Sequence, residues 1–195
     1  MPRVPKTLIK ALNSSEVAKI LDEFDGRDFK SVRNRAITML FIDTGLRLSE
    51  LANIQLEDIN VERQTILVTG KGNKQRMVRF GVRTAKTLWR YISLRNSLNG
   101  HSGALWLEKH GDEVKPNCIA LVFKRLQQKT GIKVHCHRLR HTYAISALRN
   151  GMNPFVLQAS LGHATLDMTR RYCQSLSFED VYREHQKASP IDNIK

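Results

Sequence analysis

Apolar residues recur along most of the chain at three- and four-residue intervals, the spacing of one face of an α-helix, and this pattern predicts a mainly helical fold. We expect helices at about 13–24, 29–45, 49–54, 84–98, 117–130, 135–151, 153–161, 165–172 and 177–187. Local signals support several of these ends. Asn13-Ser-Ser-Glu16 has the form of a capping box, and Asn153-Pro154 suits the start of a helix.

One segment departs from the helical spacing. The runs QTILVT and QRMVRF are rich in β-branched residues and flank the sequence GKGNK. Residues 64–80 are therefore predicted to form a β-hairpin with a glycine-rich turn. The predicted fold class is mainly α with a small antiparallel β-sheet (α+β).

The pattern indicates one main domain with a short segment at each end. Residues 1–12, with two prolines, are linker-like; residues 13–174 hold most of the predicted elements, and residues 175–195 form a helical tail. No apolar run approaches the roughly 18 residues that a membrane span needs, and the N-terminus has no signal-peptide core. We expect a cytoplasmic protein whose three cysteines are reduced thiols.

The net charge of the chain limits the kinds of partner that it is expected to bind. Thirty-two Lys and Arg against eighteen Asp and Glu leave a net charge of +14, which indicates a polyanionic partner. No acidic residue occurs between Val114 and Leu166, a region that contains eight basic ones: Lys115, Lys124, Arg125, Lys129, Lys133, Arg138, Arg140 and Arg149. A membrane surface is the weaker prediction, because these residues do not lie opposite a continuous apolar face. Nucleic acid is favoured.

The stretch HCHRLRH concentrates cationic groups at the start of a predicted helix. His137 and His141 are four residues apart and share a face, with Arg140 next to them. A helix N-terminus with a guanidinium and an imidazole is suited to bind a phosphate. Two alternatives stay open here: a DNA-backbone contact without catalysis, and a zinc site that would add His135 and Cys136. Zinc is disfavoured, because no acidic residue lies within twenty positions.

Three further stretches contain candidate residues. DTGLRLSEL holds Arg47 with Glu50 three residues later, GKGNK holds Lys71 at the turn, and LGHATLDMTRRY holds His163 and Tyr172. Taken singly, each has an ordinary explanation, as a surface ion pair, a turn lysine or a core aromatic residue. Taken together, in their order along the chain, these stretches favour a shared functional role over the ordinary explanations.

The chain resembles the tyrosine recombinase family of phage integrases and Xer-type recombinases, from about residue 13 to residue 172. Four stretches resemble the four motifs of that family in the same order: TGLRLSEL, GKGNKQR, HRLRHTYA and LGHATLDMTRRY. The resemblance implies a tyrosine recombinase catalytic domain, with the DNA breaking-rejoining fold, at residues 13–174. It also implies a site-specific recombinase that forms a 3′-phosphotyrosyl intermediate. One departure is that Cys173-Gln174 stand where the family often has a small residue and then His.

The resemblance also implies a role for each motif residue. Tyr172 would be the nucleophile and His137 its proton partner. Arg47 and Arg140 would clamp the phosphate, with His163 donating a further hydrogen bond, and Lys71 would protonate the leaving oxygen. Glu50 and His141 would support the site, and four basic residues would contact DNA: Lys74, Arg76, Arg138 and Arg170. The expected reaction uses no metal and no cofactor.

The same resemblance implies double-stranded DNA as the partner, a homo-tetramer on paired DNA sites and a monomer free in solution. A type IB topoisomerase-like enzyme and a catalytically idle DNA-binding relative are the alternative functions. The chain could be an isolated catalytic domain, which we favour, or a compact recombinase. The 175–195 tail could dock on a neighbouring protomer or on its own domain.

Overall fold

The computed structural model describes residues 10–70, 72–98, 102–189 and 191–192. Within these ranges the chain forms nine α-helices: α1 Ser14–Asp22, α2 Phe29–Thr44, α3 Leu48–Ala52, α4 Val82–Asn96, α5 Pro116–Thr130, α6 Cys136–Arg149, α7 Pro154–Leu161, α8 Leu166–Cys173 and α9 Phe178–Ala188. Three strands, β1 Ile59–Asn60, β2 Thr65–Thr69 and β3 Gln75–Arg79, form an antiparallel sheet in the order β1-β2-β3. The predicted α+β architecture is confirmed, and β1 is an addition to the predicted hairpin.

Helix ends follow from local chemistry. The capping box predicted at Asn13 is present: its side chain accepts from the Glu16 backbone N–H at 2.8 Å, and Glu16 accepts from the Asn13 N–H at 2.9 Å. Helices α2 and α7 end at Gly45 and Gly162, whose φ angles of +59° and +64° lie in the left-handed region. Glycine takes that conformation without the steric cost of a Cβ.

Helix α2 is central to the main core and packs against both α4 and α6. Its buried residues Ile37, Leu40 and Phe41 are at most 1% exposed. The indole N–H of the fully buried Trp106 donates to the Leu51 carbonyl at 2.8 Å, which holds α3 against this core. Leu46, between α2 and α3, is also part of this core, so the α2–α3 junction is packed against it.

A second, smaller apolar cluster lies beneath α7 and α8. It consists of Tyr143, Ala144, Leu148, Leu157 and Leu161, and Tyr172 packs against it. The helix that carries Tyr172 is thus positioned by α6 and α7 rather than by the main core.

Residues 10–12, the described end of the predicted linker, are tied to α6. Leu12 is buried, and its N–H donates to the Thr142 hydroxyl at 2.9 Å. None of the helices that the structure describes is long and apolar enough to cross a membrane.

Candidate active site

One cleft of about 570 Å³ collects side chains from the α2–α3 junction, the start of α6, and the α7–α8 region. Five of the six residues predicted to be catalytic line this cleft: Arg47, His137, Arg140, His163 and Tyr172. The sixth, Lys71, lies outside the described residues. Apolar side chains, including Phe41 and Leu46, form part of the wall.

Tyr172 packs against two imidazole rings. Its ring centroid is 5.3 Å from that of His141 and 6.0 Å from that of His163, and the His163 ring is nearly parallel to it at 15°. The side chain is half-buried and faces the cleft. His141, predicted to support the site, packs against the Tyr172 ring, and its supporting role stays a prediction. Burial, followed by the Arg138 charge, lowers the pKa of His141.

Arg140 is almost fully buried, with 8% of its surface exposed. One guanidinium nitrogen donates to the Gly45 carbonyl, and the other donates to the Leu161 carbonyl at 2.9 Å. Its position is therefore set by the glycine-capped ends of α2 and α7. Burial, and then the Arg47 charge, lower the pKa of Arg140, so this buried cation would be stabilised by an anion in the cleft.

His163 is held as a neutral ring with a defined tautomer. Its Nε2 lies 2.9 Å from Arg140 Nη2 and accepts a hydrogen bond, because a guanidinium has only donors. Nδ1 then carries the proton and donates to the Thr169 hydroxyl at 2.9 Å. Burial, followed by the Arg140 and Arg47 charges, lowers the pKa of His163 to about 4.

This arrangement gives no support to the donor role predicted for His163, which stays a prediction. Both ring nitrogens are engaged within the protein, and the side chain is only 8% exposed. In this state Nε2 has no proton to give to a phosphate oxygen. That nitrogen instead contacts the Arg140 guanidinium.

Glu50 joins two arginines. Its carboxylate accepts from Arg47 at 2.8 Å and from both terminal nitrogens of Arg76, at 3.0 and 2.9 Å. Burial of Glu50 opposes ionisation, but hydrogen bonds from Arg76 and Arg47, together with the Arg76 charge, outweigh burial and lower the pKa of Glu50 to about 2. The predicted pairing of Glu50 with Arg47 is present. Arg47 keeps 40% of its side chain exposed towards solvent.

His137 lies in the first turn of α6, is exposed, and lines the cleft. A proton acceptor for Tyr172 must be reachable from the cleft, and His137 meets that condition. Its role stays a prediction.

The four predicted DNA contacts divide into two pairs. Lys74 and Arg170 are exposed, so a DNA contact by either stays a prediction. Arg138 is 8% exposed, and its guanidinium is used within the protein by the Lys10 and Lys133 carbonyls and by the Glu16 carboxylate.

Arg76 likewise donates to Glu50 and to the Ser160 carbonyl. The guanidinium groups of Arg76 and Arg138 are therefore engaged within the protein, which gives no support to the DNA contacts predicted for them.

The zinc alternative has no geometric support in the described ranges, where no group of three or more His, Cys, Asp or Glu side chains could hold a metal ion. His135 instead caps α6, its Nδ1 accepting from the Arg138 N–H at 3.2 Å. Burial, and then the Lys133 charge, lower the pKa of His135, which favours the neutral ring that a cap needs.

Thr169 and the backbone carbonyls of residues 45 and 160–162 are site components that sequence reasoning missed. The position of Thr169, one helical turn before Tyr172, is a signal that could have directed attention to it. Backbone carbonyls have no signature in a sequence, because every residue has one.

The fold and the cleft define the tyrosine recombinase catalytic-domain class. The chain belongs to the phage integrase family, whose family model matches residues 10–178. The family resemblance inferred from the sequence motifs is thereby confirmed.

A similar curated protein is the tyrosine recombinase XerA of Pyrococcus horikoshii, 32% identical over 197 residues. The match covers 99% of this chain and 66% of that relative, so the chain spans slightly less than two thirds of its length.

Two solved structures share the fold. A crystal structure of XerA recombinase has a TM-score of 0.79 at 28% identity, covering 97% of this chain and 67% of that one. XerH site-specific recombinase, bound to a palindromic difH substrate in a post-cleavage complex, has a TM-score of 0.75 at 25% identity, covering 95% and 54%.

Proposed function

We propose that this protein is a site-specific DNA recombinase that cleaves and rejoins DNA through a 3′-phosphotyrosyl intermediate. The observation that carries the proposal is the single cleft in which Tyr172 lies with Arg47, Arg140, His137 and His163. A tyrosine oxygen can attack the phosphorus of a phosphodiester in line with the leaving oxygen, and two guanidinium groups can stabilise the negative charge that develops.

In the proposed first step the Tyr172 oxygen attacks the phosphorus and its proton passes to His137. The bond from phosphorus to the 5′-oxygen breaks, and Lys71 protonates that leaving oxygen. A 5′-hydroxyl, of the same or another strand, then attacks the phosphotyrosyl bond and releases the tyrosine. Deprotonating a phenol at neutral pH costs about 4 kcal/mol, so the proton acceptor and the cations must offset that cost.

Arg47 and Arg140 would bind the non-bridging phosphate oxygens. Each preorganised donor of this kind is worth about 2.7–4 kcal/mol of transition-state stabilisation. Arg140 is held by two backbone carbonyls before the DNA binds, so little reorganisation is needed during the reaction. Arg47 is more exposed than Arg140 and is therefore suited to make the first contact with the DNA.

The partner proposed for the cleft is double-stranded DNA. The net charge of +14 supports this, as does the similarity to XerH bound to its difH substrate. We further propose that the protein acts in the cytoplasm, is monomeric when free, and forms a homo-tetramer on paired sites.

A nicked suicide duplex tests the proposal, because loss of a short 5′ fragment traps the covalent intermediate. Nicked, sheared genomic DNA of the source organism is incubated with the protein in EDTA without nucleotide, and attached DNA is recovered through a protein tag under denaturing conditions. We expect a covalent adduct that Tyr172→Phe abolishes.

Tyr182→Phe is the matched control, since Tyr182 lies on α9, is 56% exposed, and should not affect the adduct. An adduct that persists in Tyr172→Phe, or that chelation removes, contradicts the proposed chemistry. Relaxation of supercoiled plasmid with no exchange between recovered sites would indicate topoisomerase activity instead.

A further inference from the structure

Three consecutive backbone carbonyls at the end of α7 each accept a hydrogen bond from a different arginine. Arg76 Nε donates to the Ser160 carbonyl at 2.9 Å. Arg140 Nη2 donates to the Leu161 carbonyl at 2.9 Å. Arg47 Nη2 donates to the Gly162 carbonyl at 3.2 Å. The two arginines proposed to clamp the phosphate, and Arg76, which binds Glu50, thus all contact the same helix end.

The physical basis is the C-terminus of an α-helix. Its last carbonyls have no N–H of a following turn to accept from, and the helix dipole places partial negative charge there. The last turn of α7 itself contains no basic residue. The complementary cations come from three other elements: the start of α3, strand β3 and helix α6.

Gly162 allows the Arg76 guanidinium to approach this helix end. Its φ of +64° ends the helix, and a Cβ on this residue would lie 3.0 Å from both Cζ and Nη1 of Arg76. That distance is tighter than ordinary van der Waals contact. An alanine at position 162 would therefore require the Arg76 guanidinium to shift by a few tenths of an ångström.

Arg76 also connects this helix end to the Glu50 pair. Its two terminal nitrogens hold both carboxylate oxygens of Glu50, and Glu50 in turn holds Arg47, which returns to the Gly162 carbonyl. The closed ring of contacts leaves Arg47 few alternative positions. A lysine at position 76 could not make these three contacts together.

We propose that the C-terminus of α7 positions both clamp arginines, and that Arg76 and Gly162 are positioning residues of the strand-cleavage reaction. This inference rests on the proposed function for its catalytic consequence. Its structural part, the coupling between Gly162 and Arg76, stands on the geometry alone.

Gly162→Ala is the first test, and Gly131→Ala is its matched control. Gly131 also ends a helix in the left-handed region, with φ of +71°, but a Cβ there would meet nothing within 4 Å. Both variants carry the same kind of backbone strain, and only Gly162→Ala displaces the arginine.

Adduct formation is measured in a single turnover, on the nicked duplex that the wild type attaches. We expect Gly162→Ala to slow cleavage by about 10- to 100-fold, since small misplacement of catalytic groups has effects of that size. Duplex affinity should match that of Gly131→Ala. A merely structural role would not separate rate from affinity in this way.

The second test adds Arg76→Ala to each glycine variant and measures urea unfolding of all combinations. Removing the guanidinium removes the clash, so the destabilisation by Gly162→Ala should fall to that of Gly131→Ala in this background. Gly131→Ala and Arg76→Ala should be additive.

Equal cleavage rates for the two glycine variants would overturn the catalytic part of the proposal. An undiminished effect of Gly162→Ala when Arg76 is absent would overturn the coupling. If the wild type attaches to no duplex, the proposed function fails, while the unfolding measurements still decide whether Gly162 and Arg76 are coupled.

Discussion

The hydroxyl of Thr169 is the single polar partner that the structure shows for His163 Nδ1 among the described residues. Thr169 is fully buried on α8, the helix of Tyr172, so this bond joins the helix of the proposed nucleophile to the ring that contacts Arg140. We predict that Thr169→Val, similar in volume, slows cleavage because it leaves a buried N–H unpaired, at a cost of about 1–3 kcal/mol.

Thr169→Ser keeps a hydroxyl and is the rescue control. The tautomer is measured directly by nitrogen NMR of the His163 ring, which should show a protonated Nδ1 in the wild type and in Thr169→Ser. A Thr169→Val protein with an unchanged tautomer and cleavage rate would exclude this positioning role.

Glu50 predicts a specific pH dependence of stability. Its pKa is lowered from 4.5 to about 2, so the native state stays ionised after the unfolded chain has taken up its proton. Its contribution is complete above pH 4.5, is lost as the pH falls towards 2, and is on the order of 3 kcal/mol at neutral pH.

The check is urea unfolding of the wild type and of Glu50→Gln across that pH window. Glu50→Gln should be less stable at neutral pH, and the difference between the two proteins should shrink as the solution is acidified. A difference that does not change with pH would mean that the carboxylate charge contributes nothing.

At the scale of elements, helix positions were predictable because two signals indicate the same boundaries: the spacing of apolar residues and the glycines at which helices end. The stops at Gly45 and Gly162 are confirmed by left-handed φ angles. Strand β1 was missed because its two residues, Ile59–Asn60, are too few to show an alternating pattern. Its pairing with β2 is a tertiary contact.

The turn between β2 and β3 has a predicted chemical role of its own. Lys71 is proposed to protonate the leaving 5′-oxygen, so Lys71→Ala should slow cleavage by about 10²–10⁴-fold. A duplex in which sulfur replaces that bridging oxygen has a leaving group that needs no proton. This substrate should restore most of the rate to Lys71→Ala.

Lys74→Ala is the control on the same turn, because Lys74 is exposed and is predicted only to contact DNA. The ratio of its cleavage rates on the oxygen- and sulfur-containing duplexes should equal that of the wild type. Failure of the sulfur substrate to rescue Lys71→Ala would remove the general-acid role from this residue.

At the scale of the whole molecule, a net charge of +14 predicts DNA binding that weakens steeply with salt. Lys74→Gln and Arg170→Gln should each reduce the slope of log affinity against log salt concentration by about one. Arg138→Gln should leave that slope unchanged and lower stability instead, since the Arg138 guanidinium is bonded within the protein. Affinity measurements between roughly 50 and 200 mM salt distinguish these outcomes, and an affinity indifferent to salt would contradict the electrostatic account.

Most of the architecture, and the membership of the cleft, could be predicted from the sequence, whereas the role of each arginine could not. Arg76 and Arg138 lie in basic motifs that are typical of DNA contacts. Their partners are 84 and 128 residues away in the chain, at the Ser160 and Lys10 carbonyls. Sequence spacing carries no information about such contacts, nor about the contacts of His163 with Arg140 and Thr169.

The most direct test of the central claim is to map the residue that carries the DNA. After nuclease digestion of the adduct formed in EDTA, trypsin cleavage after Arg171 and Arg183 releases residues 172–183, which contain both Tyr172 and Tyr182. Tandem mass spectrometry then assigns the nucleotide to one of them. We predict a 3′-nucleotide on Tyr172; a nucleotide on Tyr182, on another residue, or no covalent nucleotide at all would contradict the account.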